Sequence, residues 1–262
     1  MYDWVWLLTD YGRSDGFVAA CHGVIARSAP AVRIGDITHD VPAFDVRHGA
    51  AVLAQTVPYL PPAVIVAVVD PGVGTARRPV AVAAGDSVLL GPDNGLLPWA
   101  LDALGGGSAA VELSRTTLPA VHTFDGRDLF APVAARLASG APIDAVGTPL
   151  GTDELVRLSA PRVDVGPGLL ATEVLTVDRF GNIQLAATAS DLAVAGLERE
   201  RLTVVAGDRS HRVTVGRTFA DAPAGELVLI VDSAGHLALA VNRGHAAAAL
   251  GLRPRDDVTL KR

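Results

Sequence analysis

The run Val64–Val69 constrains the fold more than any other feature, because all six of its residues are apolar. A strand with one solvated face alternates apolar and polar residues, so an unbroken apolar run predicts a strand covered on both faces. The run ends at Asp70-Pro71-Gly72, which predicts a tight turn. Strands covered on both faces belong to α/β domains, in which helices pack on each side of a mostly parallel sheet.

Short strands and amphipathic helices alternate around this run. The pattern predicts a first strand at Val5–Leu8, a helix at Gly16–Ser28 capped by Asp15, a strand at Val32–Ile34 and a helix at Val46–Val57. The predicted apolar face of the first helix consists of Phe17, Val18, Cys21, Val24 and Ile25. We therefore expect an N-terminal α/β domain with a mostly parallel central sheet over residues 1–160.

The character of the sequence changes at the segment APRVDVGPG, residues 160–168. Beyond it, short apolar runs are separated by turn residues, and the predicted strands are Leu170–Val177, Leu202–Val205, His211–Val215, Glu226–Val231 and His236–Val241. Several short strands at this spacing indicate an antiparallel β-barrel, which we expect over residues 168–262.

Composition excludes several chemistries. Cys21 is the single cysteine and Lys261 the single lysine, which excludes a disulfide framework, a cysteine-rich zinc site and Walker-type phosphate binding. The net charge of −6, with scattered arginines, argues against a nucleic-acid partner. No apolar run approaches the roughly 20 residues of a membrane-spanning helix, and the N-terminus lacks signal-peptide features. We expect a cytoplasmic protein without a membrane partner.

Polar residues follow two of the predicted strands. Asp10 follows the first, where α/β sheets bind ligands, and its carboxylate can accept two hydrogen bonds from a ribose diol. The alternative is that Asp10 caps the backbone of its own loop. Asp70 follows the central strand, and Arg77 lies seven residues later, a spacing that allows an ion pair across the loop.

A third polar segment, residues 122–128, combines an imidazole, two carboxylates and a guanidinium. Taken alone, Arg127 and Asp128 indicate an ion pair at the start of a helix, and His122 is more often structural than catalytic. The carboxylates Asp10, Asp15, Asp70 and Asp125 are of the type that binds Mg²⁺. Their spacing matches no known metal loop, so no metal is expected.

Seven segments in order resemble the S-adenosylmethionine hydroxide adenosyltransferases, a family related to fluorinase and chlorinase. The segments are LLTDYGRSDGFVAACHGVI, DITHDVPAFDVRHGAAVLA, VAVVDPGVGTARRPVAV, GPDNGLL, TFDGRDLFAPVAA, VDRFGNI and DSAGHLALAVNRGHAAAALGL. The resemblance implies hydrolysis of S-adenosylmethionine to adenosine and L-methionine, with no metal or cofactor. It also implies a homotrimer with active sites between subunits.

The resemblance assigns roles by position. It places Asp70 and Arg77 around a nucleophilic water. It places Asp10 at the ribose diol, and Phe180 and Asn182 as adenine-side and methionine-side contacts. It also places Phe219 on the adenine ring and Ser233 at the methionine end.

The sequence departs from the family at Asp125, because the usual motif is Thr-Phe-His-Gly-Arg-Asp. We take Asp125 as the third catalytic residue, a second proton acceptor beside Asp70. A binding protein, a decayed enzyme, and an enzyme for another adenosyl compound remain alternatives. A halogenase-like enzyme is disfavoured, since Asp125 repels halide, Gly126 lacks a hydroxyl and the segment after Gly95 is short.

Overall fold

The computed structural model describes residues 1–114, 123–198 and 200–262. The chain divides into two compact units, Met1–Leu158 and Ser159–Arg262. No helix among these described residues is both long and apolar enough to span a membrane.

The first unit contains a sheet with helices on both faces. Its strands are β1 (Trp4–Thr9), β2 (Arg33–Thr38), β3 (Val64–Val68), β4 (Pro79–Ala84), β5 (Ser87–Pro92), β6 (Gly107–Leu113) and β7 (Gly147–Leu150). Its α-helices are α1 (Phe17–Ser28), α2 (Val46–Thr56), α3 (Pro98–Ala103) and α4 (Ala131–Ala138).

The strand order of this sheet is β2-β1-β3-β5-β4-β6-β7. The pairs β2–β1, β1–β3 and β3–β5 are parallel, which confirms the α/β prediction for this half of the sheet. The pairs β5–β4, β4–β6 and β6–β7 are antiparallel. The parallel prediction does not extend to this half. For β4 and β5 the reason is the turn between them, which is too short for the crossover that parallel strands require.

Strand β3 is buried at all five positions, as the apolar run predicts. Val64, Val66 and Val68 pack in one core cluster, whereas Ile65 and Ala67 pack in a second cluster. Residues of α1 and α4 belong to the first cluster, and residues of α2 and α3 belong to the second. The central strand is therefore covered on both faces by different helix pairs.

Two predictions for α1 are wrong. Gly16 occupies the N-cap position and no side-chain hydrogen bond caps the helix, so Asp15 is not its cap. The buried positions of α1 are Cys21 and Ile25, whereas 47% of Phe17 is exposed. Phe17 is the first residue of α1, and its ring packs against Tyr11 and Phe124.

The second unit is a closed barrel of seven strands with an eighth strand attached. Its strands are β8 (Val163–Gly166), β9 (Leu169–Val177), β10 (Ile183–Thr188), β11 (Arg201–Ala206), β12 (Arg209–Val215), β13 (Leu227–Val231), β14 (His236–Val241) and β15 (Asp257–Lys261). Short helices α5 (Ala189–Val194) and α6 (Ala246–Leu250) accompany them.

The barrel order is β10-β14-β13-β12-β11-β15-β9, and the pairing of β9 with β10 closes the ring. Every ring pair is antiparallel except β12–β13, which is parallel. The predicted barrel is therefore confirmed, with one parallel pair that the sequence pattern does not predict. Residues 216–226 connect the two parallel strands.

Candidate active site

The carboxyl ends of the parallel strands carry the polar residues of the first unit. Asp10 follows β1 and Asp70 follows β3, and these two strands are neighbours in the sheet. Asp125 comes from a different part of the chain, immediately before the π-helical turn Gly126–Phe130 that leads into α4. Three separate segments therefore supply carboxylates at one edge of the sheet.

Arg77 lies between Asp70 and Asp125. Its Nε donates to both oxygens of Asp70, at 3.0 and 2.9 Å, and its Nη2 donates to Asp70 Oδ2. The same Nη2 donates to Asp125 Oδ2 at 2.5 Å. The predicted Asp70–Arg77 pair is present, and Asp125 joins it. We call these three residues the carboxylate–guanidinium centre.

The centre is almost inaccessible to solvent. The side chains of Asp70, Arg77 and Asp125 are 6%, 9% and 2% exposed. Two carboxylates against one guanidinium give an excess of one formal negative charge, and low exposure strengthens its field. Among the described residues, the buried Nη1 of Arg77 has no hydrogen-bond partner, so this group retains donors for a bound molecule such as water.

A pocket of about 260 Å³ opens beside the centre. It is lined by Asp10, Tyr11, Phe17, Ala43, Phe44, Val68, Asp70, Val73, Thr123, Phe124, Asp125 and Gly126. The lining combines carboxylates with aromatic rings, a surface that suits a flat, positively charged ligand. The volume is just under the ~300–1,000 Å³ of typical ligand pockets, so it suits part of a nucleoside-sized molecule.

Asp10 is positioned by a long-range contact rather than by its own loop. Its Oδ2 accepts a hydrogen bond from the backbone N of Phe44 at 2.9 Å. Phe44 has a φ of 67°, a left-handed conformation that a bulky side chain rarely adopts. Asp10 therefore binds loop backbone, as the capping alternative predicts, but the loop is a distant one and not its own. Asp10 still lines the pocket.

Three aromatic rings pack against one another in the wall of the pocket. Phe124 contacts Tyr11 and Phe17 edge-to-face, with ring centroids 5.5 and 5.2 Å apart. Arg127 lies over Phe124 at 4.9 Å and pairs with Asp128, its Nε donating to Asp128 Oδ1 at 2.6 Å. The predicted Arg127–Asp128 ion pair is thus present. His122 lies outside the described residues.

Tyr11 is a site residue that the sequence analysis missed. A Cβ atom built on Gly126 would lie 2.1 Å from the Tyr11 hydroxyl, so glycine at 126 is what allows the hydroxyl to approach. Burial raises the pKa of Tyr11, and the charges of Asp10, Asp70 and Asp125 raise it further. The hydroxyl therefore stays protonated and remains a hydrogen-bond donor beside the carboxylates.

Phe17, Phe44 and Phe124 were also missed as site residues. Phe124 and Tyr11 adjoin Asp125 and Asp10 in sequence, a signal that was available. Phe44 carries no such signal, because its contact with Asp10 spans 34 residues.

The remaining predicted substrate-binding residues are in turns of the second unit. Asp178 accepts hydrogen bonds from the backbone N of Phe180 and of Asn182, both at 2.9 Å, and from Asn182 Nδ2 at 2.8 Å. Phe180 is 69% exposed and Phe219 is 46% exposed. Both rings are therefore presented on the surface rather than packed in the barrel core.

The structure brings these residues together only in part. The turn with Phe180 and Asn182 precedes β10, and the turn with Ser233 precedes β14. Since β10 and β14 are antiparallel, with Ile183 opposite Leu239, the two turns lie at opposite ends of their ladder. Phe219 follows β12 in the segment that leads to the start of β13, and this start pairs with the end of β14. Phe219 therefore lies toward the end with Phe180.

Family comparisons agree with this architecture. The model described as "SAM hydroxide adenosyltransferase N-terminal domain" matches residues 5–147, and that of the C-terminal domain matches residues 172–259. The chain belongs to the SAM hydroxide adenosyltransferase family. The family resemblance noted in the sequence is thus confirmed, and the match includes both structural units.

Individual relatives extend over nearly the whole chain. An "(R)-S-adenosyl-L-methionine hydrolase" of Salinispora arenicola is 56% identical over 97% of this chain and 96% of its own length. A "Fluorinase" of Actinoplanes sp. is 30% identical over 97% of this chain and 95% of its own. A solved structure of an uncharacterized conserved protein from Thermotoga maritima has a TM-score of 0.92 and 33% identity, covering 98% of this chain and 100% of that one.

Proposed function

We propose that this member of the SAM hydroxide adenosyltransferase family hydrolyses S-adenosyl-L-methionine to adenosine and L-methionine. The observation that carries the proposal is the buried carboxylate–guanidinium centre beside an aromatic pocket. The substrate is a sulfonium cation, and an excess negative charge in a poorly solvated site attracts such a cation. The name of the Salinispora relative supports the same substrate.

In the proposed reaction a water molecule attacks C5′ of the ribose. The oxygen of water forms a bond to C5′ while the C5′–S bond breaks. The electron pair of the C5′–S bond stays with sulfur, so methionine leaves as a neutral thioether. One proton of the water passes to a carboxylate and then to solvent. The step needs the water about 3 Å from C5′ and opposite sulfur, a placement that contributes much of the rate enhancement.

Each of the three residues of the centre has a different role in this reaction. Asp70 accepts the proton, and Asp125 supplies a second acceptor in place of the family histidine. Arg77 orients the water through Nη1, the donor without a protein partner among the described residues. Asp10 holds the ribose diol, with one carboxylate oxygen fixed by Phe44 N.

Isotope labelling tests the nucleophile and the site together. Purified protein is incubated with each sulfonium epimer of S-adenosylmethionine in ¹⁸O-water, and the products are analysed by mass spectrometry. We expect adenosine that carries ¹⁸O at its 5′ position, together with methionine. Asp70→Asn should lower kcat/KM by about 10²–10⁴-fold, the usual contribution of a general base.

Asp102→Asn is the matched control, because it removes one carboxylate from an exposed ion pair with Arg157. Its turnover should equal that of the unmodified protein. Ligand binding without any product would instead support the binding-protein alternative, and turnover of other adenosyl sulfonium compounds alone would support a different substrate.

Halide is the less suitable nucleophile for this centre. Asp70 and Asp125 present an excess negative charge to an incoming anion, and the Tyr11 hydroxyl occupies the space beside Gly126. Incubation with chloride or fluoride should therefore yield no halogenated nucleoside.

We further propose that the protein is a cytoplasmic homotrimer with active sites between subunits, as the family resemblance implies. The exposed rings of Phe180 and Phe219 support an interface role, since exposed aromatic side chains are enriched at binding surfaces. Light scattering coupled to size exclusion should give a mass three times the 26.9 kDa of the chain.

A further inference from the structure

A second polar group, His22, Asp36 and His39, lies outside the pocket lining. His22 belongs to α1, Asp36 belongs to β2 and His39 directly follows β2. Nε2 of His22 lies 2.8 Å from Asp36 Oδ1, and Nε2 of His39 lies 3.1 Å from the same oxygen. We call these residues the histidine–aspartate cluster.

The cluster has the donor set of a transition-metal site. One nitrogen or oxygen of each residue lies within 4.8 Å of the others. Donor atoms around a tetrahedral zinc ion are about 3.3 Å apart, as bonds of about 2.0–2.1 Å require. Two imidazoles with one carboxylate suit borderline divalent cations such as Zn²⁺.

His39 is directed into the cluster with a buried, unsatisfied nitrogen. Its side chain is 3% exposed, and its Nε2, although 3.1 Å from Asp36 Oδ1, makes no hydrogen bond of acceptable geometry with any described residue. The other ring nitrogen, Nδ1, lies 2.8 Å from the hydroxyl of Thr9. When Nδ1–H donates to Thr9, Nε2 carries a lone pair directed at the cluster, an arrangement that second-shell hydrogen bonds produce in metal sites.

The cluster is also open enough for an ion to enter. The side chains of His22 and Asp36 are 31% and 37% exposed. Asp36 is thus reachable from solvent, while its Oδ1 faces the Nε2 atoms of both imidazoles.

We infer that His22, Asp36 and His39 bind one divalent transition-metal ion of the zinc class through His22 Nε2, an Asp36 carboxylate oxygen and His39 Nε2. Water completes the coordination on the exposed side. The ion cross-links α1 to the end of β2, and His39 O accepts from Gly12 N at 2.8 Å in the loop that carries Asp10. This set was not predicted from the sequence, where only carboxylates were candidate metal ligands. The inference does not depend on the proposed hydrolysis.

Calorimetric titration of Zn²⁺ into EDTA-treated, dialysed protein tests the site, with Co²⁺ absorption as a second readout. We expect one high-affinity equivalent, a raised melting temperature and Co²⁺ bands typical of nitrogen and oxygen ligands. His22→Ala and Asp36→Asn should each weaken binding by about 100-fold or more. Thr9→Val should weaken it by about 10–100-fold, as second-shell changes do.

Asp40→Asn is the matched control, because Asp40 is an exposed neighbouring carboxylate, 61% exposed and paired with Arg13. It should bind Zn²⁺ as the unmodified protein does. The inference is overturned if no equivalent binds, if His22→Ala retains full affinity, or if Asp40→Asn weakens binding as much as Asp36→Asn. Circular dichroism of each variant separates lost binding from lost folding.

Discussion

The carboxylate–guanidinium centre and the histidine–aspartate cluster have opposite charge arrangements. In the centre, the guanidinium of Arg77 lies between two carboxylates, whereas in the cluster the carboxylate of Asp36 lies between two imidazoles. The centre is buried at all three residues, but two residues of the cluster are about one-third exposed. The centre therefore holds its two carboxylates in a buried ion pair, whereas the cluster leaves its carboxylate accessible to solvent.

The end of β1 and the loop that follows it contact both sites. The hydroxyl of Thr9 lies at His39 of the cluster, and the hydroxyl of Tyr11, two residues later, lies over Gly126 at the centre. Thr9 Oγ1 also accepts a hydrogen bond from Tyr11 N at 3.2 Å. Variants of the centre and of the cluster therefore test whether the two sites differ in function as well as in geometry.

Removing Arg77 should have the largest effect. Arg77→Gln leaves Asp70 and Asp125 buried without their shared cation, and breaking a buried pair in this way costs about 3–5 kcal/mol. Denaturant unfolding measures this loss. Arg157→Gln, which breaks an exposed pair with Asp102, should cost about 1 kcal/mol or less. Equal losses from the two variants would mean that burial of the centre has no energetic importance.

Filling the space at Gly126 should have the next largest effect. Gly126→Ala forces a methyl group against the Tyr11 hydroxyl, and overpacking of this kind costs about 1–3 kcal/mol. Tyr11→Phe removes the oxygen of closest contact, so the double variant should regain more than half of the lost stability. Thermal unfolding of all four proteins completes the cycle. Strictly additive losses would show that the two residues do not contact each other.

Asp125→His replaces one of the two carboxylates beside Arg77 with an imidazole, the side chain found in the cluster. It restores the usual family residue and removes the excess negative charge beside Arg77. We expect turnover within about tenfold of the unmodified protein or higher, because an imidazole also accepts a proton. Complete loss of turnover would show that Asp125 is not a proton acceptor. The assay is adenosine release at saturating substrate, with binding measured separately.

The smallest expected effect is the loss of stability when Asp36 is protonated at acid pH. A folded-state pKa below the unfolded value means that ionised Asp36 stabilises the fold above about pH 4. This contribution disappears as the pH falls through the folded-state pKa. In EDTA, the difference in free energy of unfolding between the unmodified protein and Asp36→Asn should shrink as the pH falls from 6 to 3. A difference that widens over this range would reverse the sign argued for the cluster.

Local sequence patterns predicted the features that depend on residues close together in the chain. The apolar run of β3 predicted a strand covered on both faces, and the seven-residue spacing predicted the Asp70–Arg77 pair. Asp125, by contrast, was added through family resemblance, because its contact with Arg77 spans 48 residues. A periodic pattern in the sequence does not predict a contact between residues so far apart in the chain.

Failures of the sequence analysis arise where tertiary packing overrides local preference. Phe17 fits the apolar periodicity of α1 but stands in the first turn, where it contacts Phe124 instead of the core. The cluster combines residues of α1 with residues at the end of β2, and their spacing matches no familiar metal motif. Phe44 combines a left-handed conformation with a hydrogen bond to Asp10, a residue 34 positions away.

The closed ring of the second unit contains an odd number of strands, and this parity has a consequence for Phe219. Around a ring of strands, antiparallel neighbours must alternate in direction, and an odd ring cannot alternate completely. One parallel contact is therefore obligatory, and it falls at β12–β13. The chain must turn back after β12 to enter β13 in the same direction, and residues 216–226 provide this return. Because the parallel pair here joins strands that are consecutive along the chain, a connecting segment is needed, and Phe219, 46% exposed, lies in it.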